Sequence, residues 1–129
     1  MEYVQFRVAR PTDQLEKVIE FYGEGLGLEK IGSFEKHAGY TGVMFGLPDK
    51  KYHLEFTTHE LGSPCPAPSK DNLLVFYIPD KANIRKTVDR LNKLGYYEVE
   101  PENPYWKVGG KSFEDPDGWG IVLMNNVLP

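Results

Sequence analysis

Residues 4–8 read VQFRV and run into a helical stretch that closes on GLGL at 25–28. Residues 74–78 read LVFYI and run into a second helical stretch that closes on LGY at 94–96. Each half then continues into short strands. One design is therefore written twice, and two related strand–helix–strand halves ordinarily build one shared cavity. The halves differ in what they offer it, and that difference is the main guide to function.

In the first half, Val4, Phe6 and Val8 alternate with Tyr3, Gln5 and Arg7, which is the period of a strand with two unlike faces over residues 3–8. Pro11 and Thr12 end it. Asp13 with Glu16 fits a capping box, and Leu15, Val18, Ile19 and Tyr22 form the apolar stripe of a helix. Gly23, Gly25 and Gly27 are expected to stop that helix. Strands follow over 28–37 and 40–47, with a turn near His37–Gly39, and Pro48, Asp49 and Lys50 make the next turn. Over 52–57, Tyr52, Leu54 and Phe56 alternate with His53, Glu55 and Thr57.

Residues 61–72 (LGSPCPAPSKDN) hold three prolines and no periodicity, so they read as a linker between halves. The second half opens with a strand over 73–78, ended by Pro79. Asp80 is a good N-cap, and Ile84, Val88 and Leu91 form the helix stripe, closed by Gly95. Strands are expected around 96–100, 106–113 and 119–125, the last two joined by the DPDG turn at 115–118. The chain is thus expected to be one domain over residues 1–129. Module one runs to about residue 60, and module two spans about 73–127.

The apolar faces should cover the helices: Val4, Phe6, Val8, Leu54 and Phe56 the first, and Leu74, Phe76, Ile78, Ile121 and Leu123 the second. The opposite faces carry Gln5, Arg7, His53, Glu55 and Thr57 in the first half. In the second they carry Leu73, Val75, Tyr77, Val122 and Met124. A polar sheet face alone is ordinarily just solvated. An exposed row of Leu73, Val75, Val122 and Met124 is not ordinary, and a cavity where a polar wall meets an apolar one removes the difficulty. It suits a small amphipathic ligand.

The chain has 129 residues, 40% of them hydrophobic and 13% aromatic, enough for a globular core without disulfides. Its net charge of −4 and the lack of a Lys/Arg cluster argue against nucleic acid. The lone Cys65 fits a reducing cytoplasm, and no stretch approaches a membrane span. No Gly-rich phosphate loop, GxSxG or CxxC is present.

The paired modules, FYGEGLGL at 21–28, the HLEF strand and the closing DPDG-x-x-I-x-L hairpin resemble the vicinal oxygen chelate superfamily. That superfamily includes glyoxalase I, extradiol dioxygenases, fosfomycin-resistance enzymes and bleomycin-resistance proteins. The likeness covers roughly residues 3–125. It implies an α+β fold: two β-α-β-β-β modules forming a cupped mixed sheet, with helices packed on its outer face. It also implies a homodimer and, in enzymes of the superfamily, a divalent metal held by side chains from equivalent strands of both modules. The matching positions here are Tyr3, Glu55, Leu73 and Val122. Leu and Val offer no lone pair, and an ion needs three or more donors, so the usual metal site is expected to be absent and no cofactor is implied. His53 and Glu55 stand two apart on one strand and remain a fallback pair for one divalent ion, or a catalytic pair with Glu55 as general base. Glyoxalase I–like sequences often carry an Arg at the position of Arg7, where it contacts a carboxylate. Equally, Arg7 can pair with Glu55 across the sheet. His37, Tyr40, Tyr105 and Trp106 are candidates for a rim, and His59 reads as an exposed loop residue. The expected ligand-binding set is Tyr3, Gln5, Arg7, His53, Glu55, Tyr77, Trp106 and Val122. The expected function is binding of a small molecule without a metal, or, alternatively, lyase, isomerase or dioxygenase chemistry on Glu55 and His53.

Overall fold

The computed structural model describes residues 1–47, 49 and 51–125. The turn expected at 48–50 and the last residues of module two, Asn126 and Val127, therefore lie wholly or partly outside the described residues. The chain divides into two compact units, breaking after Cys65 within the proline-rich stretch.

The first unit holds β1 (Phe6–Pro11), α1 (Leu15–Ile19), β2 (Glu29–His37), β3 (Tyr40–Gly46) and β4 (Tyr52–His59). Its sheet has the order β1-β4-β3-β2, with β1 parallel to β4 and the remaining pairs antiparallel. The ladder begins where the Phe6 amide donates to the Lys51 carbonyl at 2.8 Å, so the strand is shifted from the expected 3–8 and takes in Pro11. Parallel pairing sets Arg7 beside His53 and Val8 beside Leu54. Leu54, Phe56, Val43 and Phe45 are buried with Val18, Phe21 and Tyr22 of the helical segment. The Tyr22 ring lies 4.5 Å from that of Phe56.

Three expectations fail here. Val4, Phe6 and Val8 do not cover the helix; they are 86%, 53% and 40% exposed. β1 is an edge strand that starts only at Phe6, whereas the short helical segment meets the central β3 and β4. The helix-facing position on β1 that is buried belongs to Arg10, whose guanidinium lies 5.0 Å over the Phe56 ring and donates to the Tyr22 hydroxyl at 3.3 Å. Nor does Asp13 cap the helix. Its carboxylate accepts instead from the Ser63 amide, tying the helix entry to the chain after β4. The expected glycine stop comes late: α1 widens into π-type turns over Glu20–Gly25, and the Leu26 amide reaches back to Phe21 at 2.9 Å. The chain leaves at Gly27, whose φ of 77° is adopted most readily by a residue without Cβ.

The second unit holds β5 (Leu73–Tyr77), α2 (Lys81–Lys93), β6 (Gly110–Glu114) and β7 (Gly120–Met124). Its sheet order is β5-β7-β6, with β5 parallel and β6 antiparallel to β7. Asp80 caps α2 as expected, its carboxylate accepting from the Ala82 amide at 2.8 Å. Ile84 and Leu91 are buried on its inner stripe. The strand expected at 96–100 is reduced to a single bridge, Val99 to Ser112. The one expected over 106–113 starts only at Gly110. Pro101 and Pro104 remove ladder donors from this stretch, and Pro104–Lys107 instead forms a 3-10 turn capped by Asn103, whose Oδ1 accepts from the Tyr105 amide at 3.0 Å. Both units are thus β-α-β-β-β in outline, with mixed sheets and peripheral helices, the second lacking most of the strand that follows its helix.

Candidate functional site

In the first unit, β1 and β4 bring three of the expected residues together. Arg7 and His53 are register partners, and Glu55 follows His53 on the same face. The Arg7 guanidinium donates to Glu55 Oε2 at 3.2 Å and lies 3.4 Å from His53 Nδ1. Guanidinium has only donors, so Nδ1 is the acceptor in that contact and the ring proton belongs on Nε2. His53 is 7% exposed. Of the two pairings left open for Arg7, the structure shows the one with Glu55.

This geometry decides how a divalent ion would fare. The fallback pair does face one way, but a fixed positive charge already stands against both members, and a cation there would have to displace it. Among the described residues, no three His, Cys, Asp or Glu side chains gather closely enough to hold an ion. At the superfamily's other positions, Val122 is fully buried and Leu73 half-buried, neither with a lone pair. Tyr3 is 61% exposed before β1 begins, its ring leaning on Phe6 at 6.4 Å. Gln5 is likewise exposed outside the strand. The donor set does not fit the metal.

His37 and Tyr40 flank an exposed turn. His59 is not the loop residue expected but the last of β4. It sits edge-on to the Tyr40 ring at 4.6 Å, and its Nδ1 accepts from the Leu61 amide at 3.1 Å.

In the second unit, Leu73, Val75 and Tyr77 share a face with Gly120, Val122 and Met124, as expected. Beside them lies a cleft of about 260 Å³ whose walls include Leu73, Val99, Trp106 and Gly120. A more open depression of about 620 Å³ continues from it past Val75 and Pro104. Trp106 lines both, brought there by the 3-10 turn, while Tyr105 meets it edge-on at 4.9 Å and is mostly exposed. Sequence reasoning missed two polar residues on this face. Ser112 is the register partner of Val122, and Glu114 that of Gly120. The available signal was the DPDG turn, from which counting back along the hairpin places both on the face of Val122.

This β-α-β-β-β pairing, with mixed sheets and that closing hairpin, is the fold of the vicinal oxygen chelate superfamily. Glyoxalase I from Leishmania major superposes over 97% of this chain and 87% of its own, with a TM-score of 0.73 and 20% identity. The fosfomycin resistance protein FosX of Mesorhizobium loti superposes over 98% and 93%, with a TM-score of 0.72 and 17% identity. At such identities the likeness is one of fold. The chain itself belongs to the YycE-like family: the YycE-like N-terminal domain matches residues 6–57 and the YycE-like C-terminal domain residues 71–125. The uncharacterized protein YycE of Bacillus subtilis strain 168 is 57% identical over 122 residues, which is 95% of this chain and 88% of that one. A crystal structure of a YycE protein of unknown function from Bacillus subtilis matches with a TM-score of 0.92 at 55% identity, covering 98% of this chain and 92% of its own.

Proposed function

We propose that the protein binds a small amphipathic molecule and does so without the divalent ion that enzymes of this fold use. The observation that carries this reading is the Arg7 guanidinium held against both Glu55 and His53. It satisfies Glu55 with a fixed charge, where a metal site or a general base would need that carboxylate available. The apolar, half-buried wall of Leu73 and Val75 beside Trp106 supplies the surface from which such binders draw affinity. In the first unit, Arg7 is suited to meet a carboxylate or phosphate of a molecule bound there through paired hydrogen bonds. Tyr3, Gln5, Tyr77 and Val122 complete the proposed binding set.

The test has two parts. Purified protein should hold no stoichiometric zinc, nickel, iron or manganese by elemental analysis. Metal that is retained, and lost on Glu55→Ala, would overturn the reading. A thermal-shift screen across small amphipathic molecules should find compounds that raise Tm as their concentration increases.

The proposal includes a homodimer, supported by the exposed apolar row of Val4, Phe6, Val8 and Tyr52 on and beside edge strand β1. Light scattering on a sizing column should give twice the chain mass of 14.7 kDa. A cytoplasmic location, expected from the lone Cys65, belongs to the same reading. Among the described residues, no helix is long and apolar enough to cross a membrane.

A further inference from the structure

The cleft of the second unit has a polar floor that the reading above leaves unused. Ser112 is 6% exposed, and its Oγ has no hydrogen-bond partner among the described residues. A buried hydroxyl left unsatisfied is unfavourable and uncommon. The residue lines the cleft, although the oxygen itself is covered as the side chain stands, so a turn about χ1 is what brings it to a ligand there. Its backbone carbonyl is engaged by the Val99 amide at 2.9 Å, which fixes the residue's position in the wall. Two residues along β6, Glu114 presents a carboxylate on the same face. Asp71, Glu100 and Glu102 also border the cleft, against Lys70 as the one basic lining residue among those described. Lys107 neutralises Glu100 at 2.6 Å. The balance that remains is negative, around an apolar strip of Leu73, Val99 and Trp106.

We propose that this cleft takes a small amphipathic cation, an aliphatic or aromatic molecule bearing a protonated amine. The ammonium donates to Ser112 Oγ and to the Glu114 carboxylate, while the apolar body lies on Leu73 and the Trp106 ring. An ammonium has three donors and no acceptor, which suits an acceptor-rich floor. An anion would meet a net negative lining, and a neutral alcohol, with a single uncharged donor, would gain less from it than an ammonium. The tryptophan face adds attraction for a cation passing the mouth. The inference rests on the small-molecule reading and names the ligand class for the second unit's share of it.

The experiment titrates three probes of matched shape into the full-length protein and follows backbone amides by NMR: 2-phenylethylamine, 2-phenylethanol and 3-phenylpropionate. The amine should shift Trp106, Ser112 and Gly120 saturably. The alcohol and the carboxylate should bind there at least about ten times more weakly. Glu114→Gln, at an exposed position, should weaken the amine about threefold. Ser112→Ala should weaken it about fivefold without lowering Tm, whereas a serine serving only structure would lose stability on truncation. Equal affinity for amine and alcohol, or no shift at the cleft, would overturn the proposal. If probes instead shift Arg7, His53 and Glu55, the small-molecule reading stands and only the cation cleft falls. Silence everywhere would count against both.

Discussion

The Arg7–Glu55 contact predicts an asymmetry that can be measured. The Arg7 side chain is 42% exposed and that of Glu55 only 17%. Removing the carboxylate by Glu55→Gln leaves a guanidinium that still reaches water, and should cost about 1 kcal/mol or less. Removing the guanidinium by Arg7→Met strands a mostly buried carboxylate beside a buried imidazole, and should cost about 2 kcal/mol. If the two variants act through the same contact, the double variant costs about 2 kcal/mol rather than about 3, a coupling near 1 kcal/mol. For a chain of this size, 1 kcal/mol corresponds to about 4 °C in Tm. Chemical and thermal unfolding of the four proteins at low salt reads all of this. In 1 M salt, where the screening length falls to about 3 Å, the coupling should shrink. Strictly additive variants, or a Glu55→Gln that costs more than Arg7→Met, would refute the account of this pair.

Three further outcomes follow from the packing. Gly110→Ala sets a Cβ against the Trp106 carbonyl oxygen, a backbone atom that cannot step aside. The variant should lose about 2 kcal/mol by denaturant unfolding and change the Trp106 fluorescence, because the turn that places the indole must move. Arg10→Ala removes a buried guanidinium from the Phe56 ring and the Tyr22 hydroxyl. It should cost about 3 kcal/mol, and Arg10→Met, which keeps the stem in place, about half of that. Asp80→Ala removes the acceptor for the Ala82 amide and should cost about 1 kcal/mol, seen as a lowered urea midpoint with unchanged slope.

Much of the fold was legible in local patterns. The alternation at 52–57, the apolar run at 73–77 before Pro79, the Asp80 cap and the DPDG turn each depend on residues within a few positions of one another. So does the sharing of one face by Leu73, Val75 and Tyr77. The errors came where a distant partner outweighs a local preference. Asp13 has the right spacing for a capping box, yet the Ser63 amide, fifty residues on, takes its carboxylate. The stretch at 96–100 has strand-like residues but only one rung of pairing to hold them.

The candidate site divides the same way. Alternation alone puts His53 and Glu55 on one face, and side-chain chemistry alone says that Leu73 and Val122 cannot hold an ion. Which of two partners Arg7 would choose, whether Phe6 or Arg10 is covered, and that the Ser112 hydroxyl is left idle were decided by tertiary structure. The physical reason is one of range. A side chain's direction along a strand repeats every two residues and is written locally, whereas register between strands and the reach of a helix over a sheet are set by packing across dozens of residues.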